Sequence, residues 1–183
     1  IIVVRKNTFC TADVKRDQTE HDTEAAKKLK SLEVDQNALM TREEALKEIV
    51  KSVVLGDKVI STTGMASREI YEIRESDGQS HDQDFLTVGS MGHCSAIALS
   101  FALFSHDEER RVWCLDGDGA ALMHLGTMAL IGNRLPRNLL HVILNNGAHD
   151  SVGGQATIGY ETNFTQLAIT FGYKRAYIVS SVT

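Results

Sequence analysis

The residues best equipped for chemistry stand where strand-like runs give way to glycine. Leu115-Asp116-Gly117-Asp118-Gly119-Ala120 is the first such place. Two glycines there let the backbone turn sharply and approach a ligand closely. The amides opening the helix behind them can receive a phosphate. A carboxylate in the same turn can hold Mg2+ against that phosphate, because hard oxygen donors suit this ion. The second place is Leu144-Asn145-Asn146-Gly147-Ala148, where an Asn amide oxygen is a neutral ligand for a hard cation. Taken singly, each has a plainer reading, since Asp-Gly and Asn-Gly punctuate ordinary turns. Gly89-Ser90-Met91-Gly92 is a third loop, with a bulky thioether between glycines, although a lone Met is usually core filler. Thr62-Thr63-Gly64 through Ser67 is a fourth, able to contact a diphosphate, and Ser67 reads equally well as a helix cap.

Such loops need strands to end them and helices to follow. Thr41-Arg-Glu-Glu44 is a capping box, and its helix carries Ala45, Leu46, Ile49, Val50 and Val53 on one face. Beyond it the pattern alternates. Strands are expected at 58–61, 85–88, 111–115, 139–144 and 176–179, and helices at 66–75, 95–104, 120–131 and 164–171. This order predicts an α/β fold of three α/β/α layers, with a mainly parallel central sheet. The helices at 95–104 and 120–131 are almost wholly apolar, so each must be covered on every side, by the sheet and by another subunit. Ligands of such sheets bind beyond the carboxyl ends of the strands, where all four loops lie.

Composition excludes several other classes. The 183 residues are 43% hydrophobic and 23% charged with a net charge of −5, an ordinary globular balance without a basic stripe for nucleic acid. No run approaches the roughly 18 apolar residues of a membrane span. The cysteines, Cys10, Cys94 and Cys114, lack C-x-x-C spacing, and the latter two have apolar neighbours, so buried reduced thiols and a cytoplasmic setting are expected. The opening residues 1–9 begin with a β-branched run and read as the last strand of a preceding domain. Residues 10–38 are polar and read as a linker with a brief helix near 24–32. Residues 39–183 then form the main domain, cut at its C-terminal end.

Pairing changes the weight of the two metal-like turns. Gly117-Asp118-Gly119, then 25 residues, then Asn145-Asn146 resembles the thiamine diphosphate motif of transketolase-like and pyruvate-decarboxylase-like enzymes. By that resemblance Asp118 and Asn146 bind Mg2+ through their side chains and Ala148 through its carbonyl, while Gly119 and Ala120 offer amides to the diphosphate. A Rossmann dinucleotide site would need G-x-G-x-x-G, and Gly117 to Leu122 lacks the third glycine. From about Leu39 onward, the stretches Ser61 to Glu69, His81 to His93 and Asn145 to Gly154 look like the phosphonopyruvate decarboxylase family, with sulfopyruvate decarboxylase as near relative. The resemblance implies that the Gly89 carbonyl and Met91 hold the cofactor's aminopyrimidine. Ser90, Thr63, Gly64, Ser67 and Ser151 are further cofactor contacts on this reading. It also implies a homo-oligomer acting on a small 2-oxoacid, in which a second subunit's pyrimidine-binding domain supplies the activating glutamate.

His149, just past the metal loop, and His93, just past the Gly-Ser-Met-Gly loop, are candidate proton carriers. The alternative for both is a polar helix start. His124 and His141 read as core histidines, and His21 and His106 as surface residues. Arg68, Arg74 and Arg134 are either readers of a phosphonate or surface charges.

Overall fold

The computed structural model describes residues 39–105 and 109–180. The opening strand, the 10–38 linker with its helix, Cys10, His21 and His106 lie outside the described residues.

Helix α1, Arg42–Ser52, starts at the expected capping box: the Thr41 hydroxyl accepts from the Glu44 amide while the Glu44 carboxylate accepts from the Thr41 amide at 2.8 Å. Strand β1 spans Lys58–Ser61, α2 Met65–Ser76, β2 Asp84–Leu86 and α3 Cys94–Phe104. Strand β3 is Val112–Gly117, followed by α4 at Asp118–Met123, α5 at Gly126–Arg134 and β4 at Leu139–Leu144. After β4 come the two-residue strands β5, Ala148–His149, and β6, Gln155–Ala156, and finally α6 at Phe164–Thr170.

Strands β1 to β4 form one parallel sheet in the order β2-β1-β3-β4. Side chains alternate across a strand, and the core divides accordingly. Val59, Trp113 and Leu115 pack on one face with Leu46 and Val50 of α1 and Ala66, Ile70 and Ile73 of α2. Ile60, Val112 and Cys114 pack on the other with Cys94, Ala98 and Ala102 of α3. Three layers result, as the alternation predicts. From β1 the chain moves outward to β2, then crosses back on the opposite face to β3. The gap between β1 and β3 is therefore the switch point of the sheet, where open parallel sheets take their ligands.

Buried polar groups brace this frame. Asp57 accepts from the Arg111 amide and Nε, both at 3.0 Å, and from Trp113 Nε1 at 3.1 Å. These donors hold its carboxyl below the usual range against the desolvation that pushes it up. Arg74 and Asp84 form a buried two-pronged pair at 2.8 and 2.9 Å. Cys94 and Cys114 are buried and free, with sulfurs 3.7 Å apart. Burial pushes the Cys114 thiol up, so it stays protonated.

Three expectations are corrected. The helix expected at 120–131 is two helices, because His124 leaves the helical region (φ −128°, ψ 47°) ahead of Gly126, a poor helix former. His124 consequently lies exposed in the break and is not a core histidine. The strand expected at 176–179 does not join the sheet: Tyr177, Ile178 and Val179 are exposed, and near them Met40 N donates to Ser180 O at 3.0 Å. Its β-branched residues set a local preference without supplying a neighbour to pair with. Helix α3 buries Cys94, Ser95, Ala98, Leu99 and Ala102 but leaves Phe101, Leu103 and Phe104 exposed, so this chain covers one side of it only. Among the described residues no helix is long and apolar enough to cross a membrane.

Candidate functional site

At the C-terminal ends of β1, β3 and β4 lies a cleft of about 440 Å³ counted with its open mouth. Its floor is the turn that ends β3. Gly117 is extended (φ −91°, ψ 160°) and Asp118 begins α4, so the chain changes direction within two residues. The Asp118 carboxylate is fully buried and accepts a hydrogen bond from the Thr157 hydroxyl. Burial pushes its pKa up, while the Thr157 hydroxyl and the amides of Asn146, Asp118 and Gly119 pull it down by a smaller amount.

The loop after β4 wraps onto this turn. Gly147, at φ 66°, takes a conformation that glycine adopts without strain, and the Tyr160 ring packs where its Cβ would be. The Asn145 amide donates to Gly159 O at 2.9 Å, and its oxygen accepts from Gly147 N at 3.2 Å. Asn145 is thus spent on holding the loop. Asn146 Nδ2 donates to Asp150 Oδ2 at 2.7 Å, and Asn146 Oδ1 accepts from Ala148 N at 3.2 Å. Strands β5 and β6, which the periodicity does not announce, then return as an antiparallel hairpin that brings Thr157 to Asp118.

Of the residues singled out from sequence, the cleft gathers Thr63, Met91, Gly117, Asp118, Gly119 and Ala120 on one side. Asn146, Ala148, His149 and Ser151 come from the other. Gly64 is not among its lining, but a Cβ there would meet Ser151 Oγ at 3.1 Å, so it stands at the edge, facing the β5 loop. Gly89 and Ser90 are exposed beside the cleft, with Gly89 N donating to Thr63 Oγ1 at 3.2 Å. Ser67 is turned inward. Its buried hydroxyl donates to Thr62 O at 2.6 Å, which closes the turn before α2 and spends its proton there. His93 also lies away from the cleft lining, exposed, with Nδ1 3.1 Å from Ser90 O and its ring 4.3 Å from that of His124. His141 is a satisfied core histidine, bonded to Tyr173 Oη at 2.9 Å and Asp116 at 3.2 Å.

The sequence places Thr62 in a loop able to contact a diphosphate but gives the other lining residue of note, Arg42, no site role. Thr62 has a buried hydroxyl without a hydrogen-bond partner. Arg42, from the first turn of α1, donates to Asp150 Oδ2 at 2.7 Å and grips Glu69 with two bonds of 2.8 Å. Both carboxylates hold its guanidinium charged. No local motif marks it, because α1 precedes the sheet and reaches the cleft only through packing on α2. Arg68 and Arg134 are exposed, Arg74 is locked to Asp84, and none of the three lines the cleft.

Residues 60–181 match the family described as thiamine pyrophosphate enzyme, C-terminal TPP binding domain. The chain belongs to this family. Thiamine pyrophosphate is thiamine diphosphate, the cofactor the motif implies. Phosphonopyruvate decarboxylase of Streptomyces viridochromogenes is 37% identical over 142 residues, 78% of this chain and 34% of that protein. Its counterpart from Streptomyces hygroscopicus is 38% identical over 146 residues, 80% of this chain and 34% of the relative. Sulfopyruvate decarboxylase subunit beta of Methanocaldococcus jannaschii is 36% identical over 128 residues, 69% of this chain and 64% of the subunit. This TPP-binding domain thus spans about a third of the length of the phosphonopyruvate decarboxylases it matches. A crystal structure described as a thiamin diphosphate-dependent enzyme from Mycobacterium smegmatis superposes with a TM-score of 0.56 at 18% identity, over 73% of this chain and 25% of that one. That likeness bears on the fold, which is the three-layer one expected.

Proposed function

We propose that this TPP-binding domain holds thiamine diphosphate through Mg2+ and serves a decarboxylase that converts phosphonopyruvate to phosphonoacetaldehyde and CO2. The observation that carries the reading is the convergence of Asp118, Asn146 and Ala148 on one cleft at the switch point of the sheet. A carboxylate, a carboxamide oxygen and a backbone carbonyl are hard donors of the kind Mg2+ takes. The unpartnered Thr62 hydroxyl, beside the Gly117–Ala120 turn, fits an acceptor-rich anion such as a diphosphate. When bound, the cofactor supplies the electron sink for loss of CO2 from a 2-oxoacid.

On this reading each part of the chain has a task. Asp118, Asn146 and the Ala148 carbonyl hold the metal, and Gly119 and Ala120 offer amides to the diphosphate. Met91 and the Gly89 carbonyl hold the pyrimidine, with Ser90, Thr63, Gly64 and Ser151 around them. His149, in the cleft, holds or moves a proton at its imidazole, and His93, just past the pyrimidine-holding loop, is the second residue suited to that role. The exposed Phe101, Leu103 and Phe104 fit a homo-oligomer in which a second subunit's pyrimidine-binding domain completes the site, in the cytoplasm.

Sulfopyruvate is the second substrate, favoured by the match to 64% of a sulfopyruvate decarboxylase beta subunit. The test is CO2 release by the full-length protein from phosphonopyruvate, sulfopyruvate and pyruvate, with thiamine diphosphate and Mg2+. Turnover of phosphonopyruvate alone is expected. Preference for another 2-oxoacid would discard the substrate and keep the cofactor assignment.

A further inference from the structure

A carboxamide can present either of two ends to a cation, and only its oxygen is a ligand. Which end faces the cleft is decided by what the other end touches. In this protein Asn146 Nδ2 is held by Asp150 Oδ2 at 2.7 Å, and a carboxylate can only accept. That contact directs Nδ2 to Asp150 and turns Oδ1 the other way, where it accepts from Ala148 N at 3.2 Å and keeps a second lone pair for a ligand. The same Asp150 oxygen accepts from Arg42 at 2.7 Å, and Arg42 is clamped by both oxygens of Glu69 at 2.8 Å. A relay therefore runs from Glu69 in α2, through Arg42 in α1 and Asp150 after β5, to the Asn146 amide.

We propose that Asp150, held in place by Arg42, is a positioning residue that sets the orientation of the Asn146 carboxamide for metal binding. This rests on the reading of Asn146 as a Mg2+ ligand. Hydrogen bonds behind a metal ligand commonly govern affinity, by about 10- to 100-fold. The relay also ties α1 to the cofactor loop, which lies 104 residues further along the chain at Asn146. Asp150 is partly exposed, its side chain at 40%, so its substitution leaves the core untouched.

The test is calorimetric titration of Mg2+ into the full-length protein at saturating thiamine diphosphate, with the melting temperature of the metal-free protein measured alongside. Asp150→Ala is expected to weaken Mg2+ by about 10- to 100-fold. Asp150→Asn loses the charge and exchanges one oxygen for an amino group but keeps the single acceptor oxygen that both donors use, so it should stay within about threefold of the parent, or roughly half of the 1.4 kcal/mol that a tenfold change represents. Arg42→Ala should weaken Mg2+ too, and adding it to Asp150→Ala should cost little more, because both act through one contact. If Asp150→Asn is as poor as Asp150→Ala, charge is what matters and the positioning role is overturned. If Asp150→Ala binds Mg2+ like the parent while Asp118→Ala does not, the inference fails and the metal reading stands. Mg2+-independent cofactor binding by the parent would overturn both.

Discussion

The His149 ring lies against the backbone of Gly119, so that a Cβ on Gly119 would meet His149 Nδ1 at 2.7 Å and Cε1 closer still. The two residues belong to different elements, Gly119 to the first turn of α4 and His149 to β5, and their contact closes one wall of the cleft. Only glycine permits it. Gly119→Ala should push the imidazole outward, weakening thiamine diphosphate binding by about tenfold or more, ~1.4 kcal/mol, in a cofactor titration. Unchanged binding would mean that the loop gives way without consequence to the ligand.

His149 itself separates binding from proton movement. His149→Ala should retain Mg2+-dependent cofactor binding and lose about a hundredfold or more in kcat, the usual scale of a general acid or base. Loss of cofactor binding with kcat intact would make its role purely a wall.

Asp118 sets a pH dependence with a definite sign. Its pKa is raised in the fold, so the folded state takes a proton more readily than the unfolded chain. The stability it contributes is present below its ordinary pKa and is lost as pH rises through the raised one. Metal-free protein should therefore gain stability, relative to an Asp118→Asn variant, as pH falls toward the carboxylate range. Mg2+ needs the charged form, so its affinity should fall over the same interval. Melting curves with and without Mg2+ read both effects, and equal pH profiles for parent and variant would refute them.

The buried Arg74–Asp84 pair predicts an asymmetry. Asp84→Ala strands a guanidinium that is 4% exposed and should destabilise the protein by about 3–5 kcal/mol in denaturant unfolding. Replacing both partners by apolar residues of similar volume should cost much less.

Gly132 offers a packing test remote from the cleft. A Cβ there would run into the carbonyl of Phe171, with the carbonyl carbon at 2.6 Å, because α5 and the end of α6 meet backbone to backbone. Gly132→Ala should lower the melting temperature by roughly 2–8 °C per kcal/mol lost, and overpacking of this kind costs about 1–3 kcal/mol.

Much of the molecule was legible locally. The capping box at Thr41, the apolar strands β1, β3 and β4, and the glycine-bounded loops at their ends are each written in a few neighbouring residues, and each formed close to where it was expected. Asp118, Asn146 and Ala148 could be singled out because the spacing of two short turns resembles a known cofactor motif, and His149 because it follows directly on the second turn. The break at His124 was harder, since a run of apolar residues hides a single non-helical residue. The strand expected at 176–179 shows the converse failure, β-branched residues with no sheet edge to accept them.

What only the tertiary structure decided are the partners that arrive from a distance. Arg42 reaches the cleft because α1 packs on α2, and Thr157 reaches Asp118 because the β5–β6 hairpin folds back. Ser67 and His93 stand at promising spacings, yet one hydroxyl turns into the fold and one ring faces its neighbour His124. The sequence by itself determined the glycine-bounded turns proposed to hold the cofactor, because each is written in residues joined by a few bonds. Which side chains brace those turns depends on packing between elements far apart in the chain, and no local pattern encodes that.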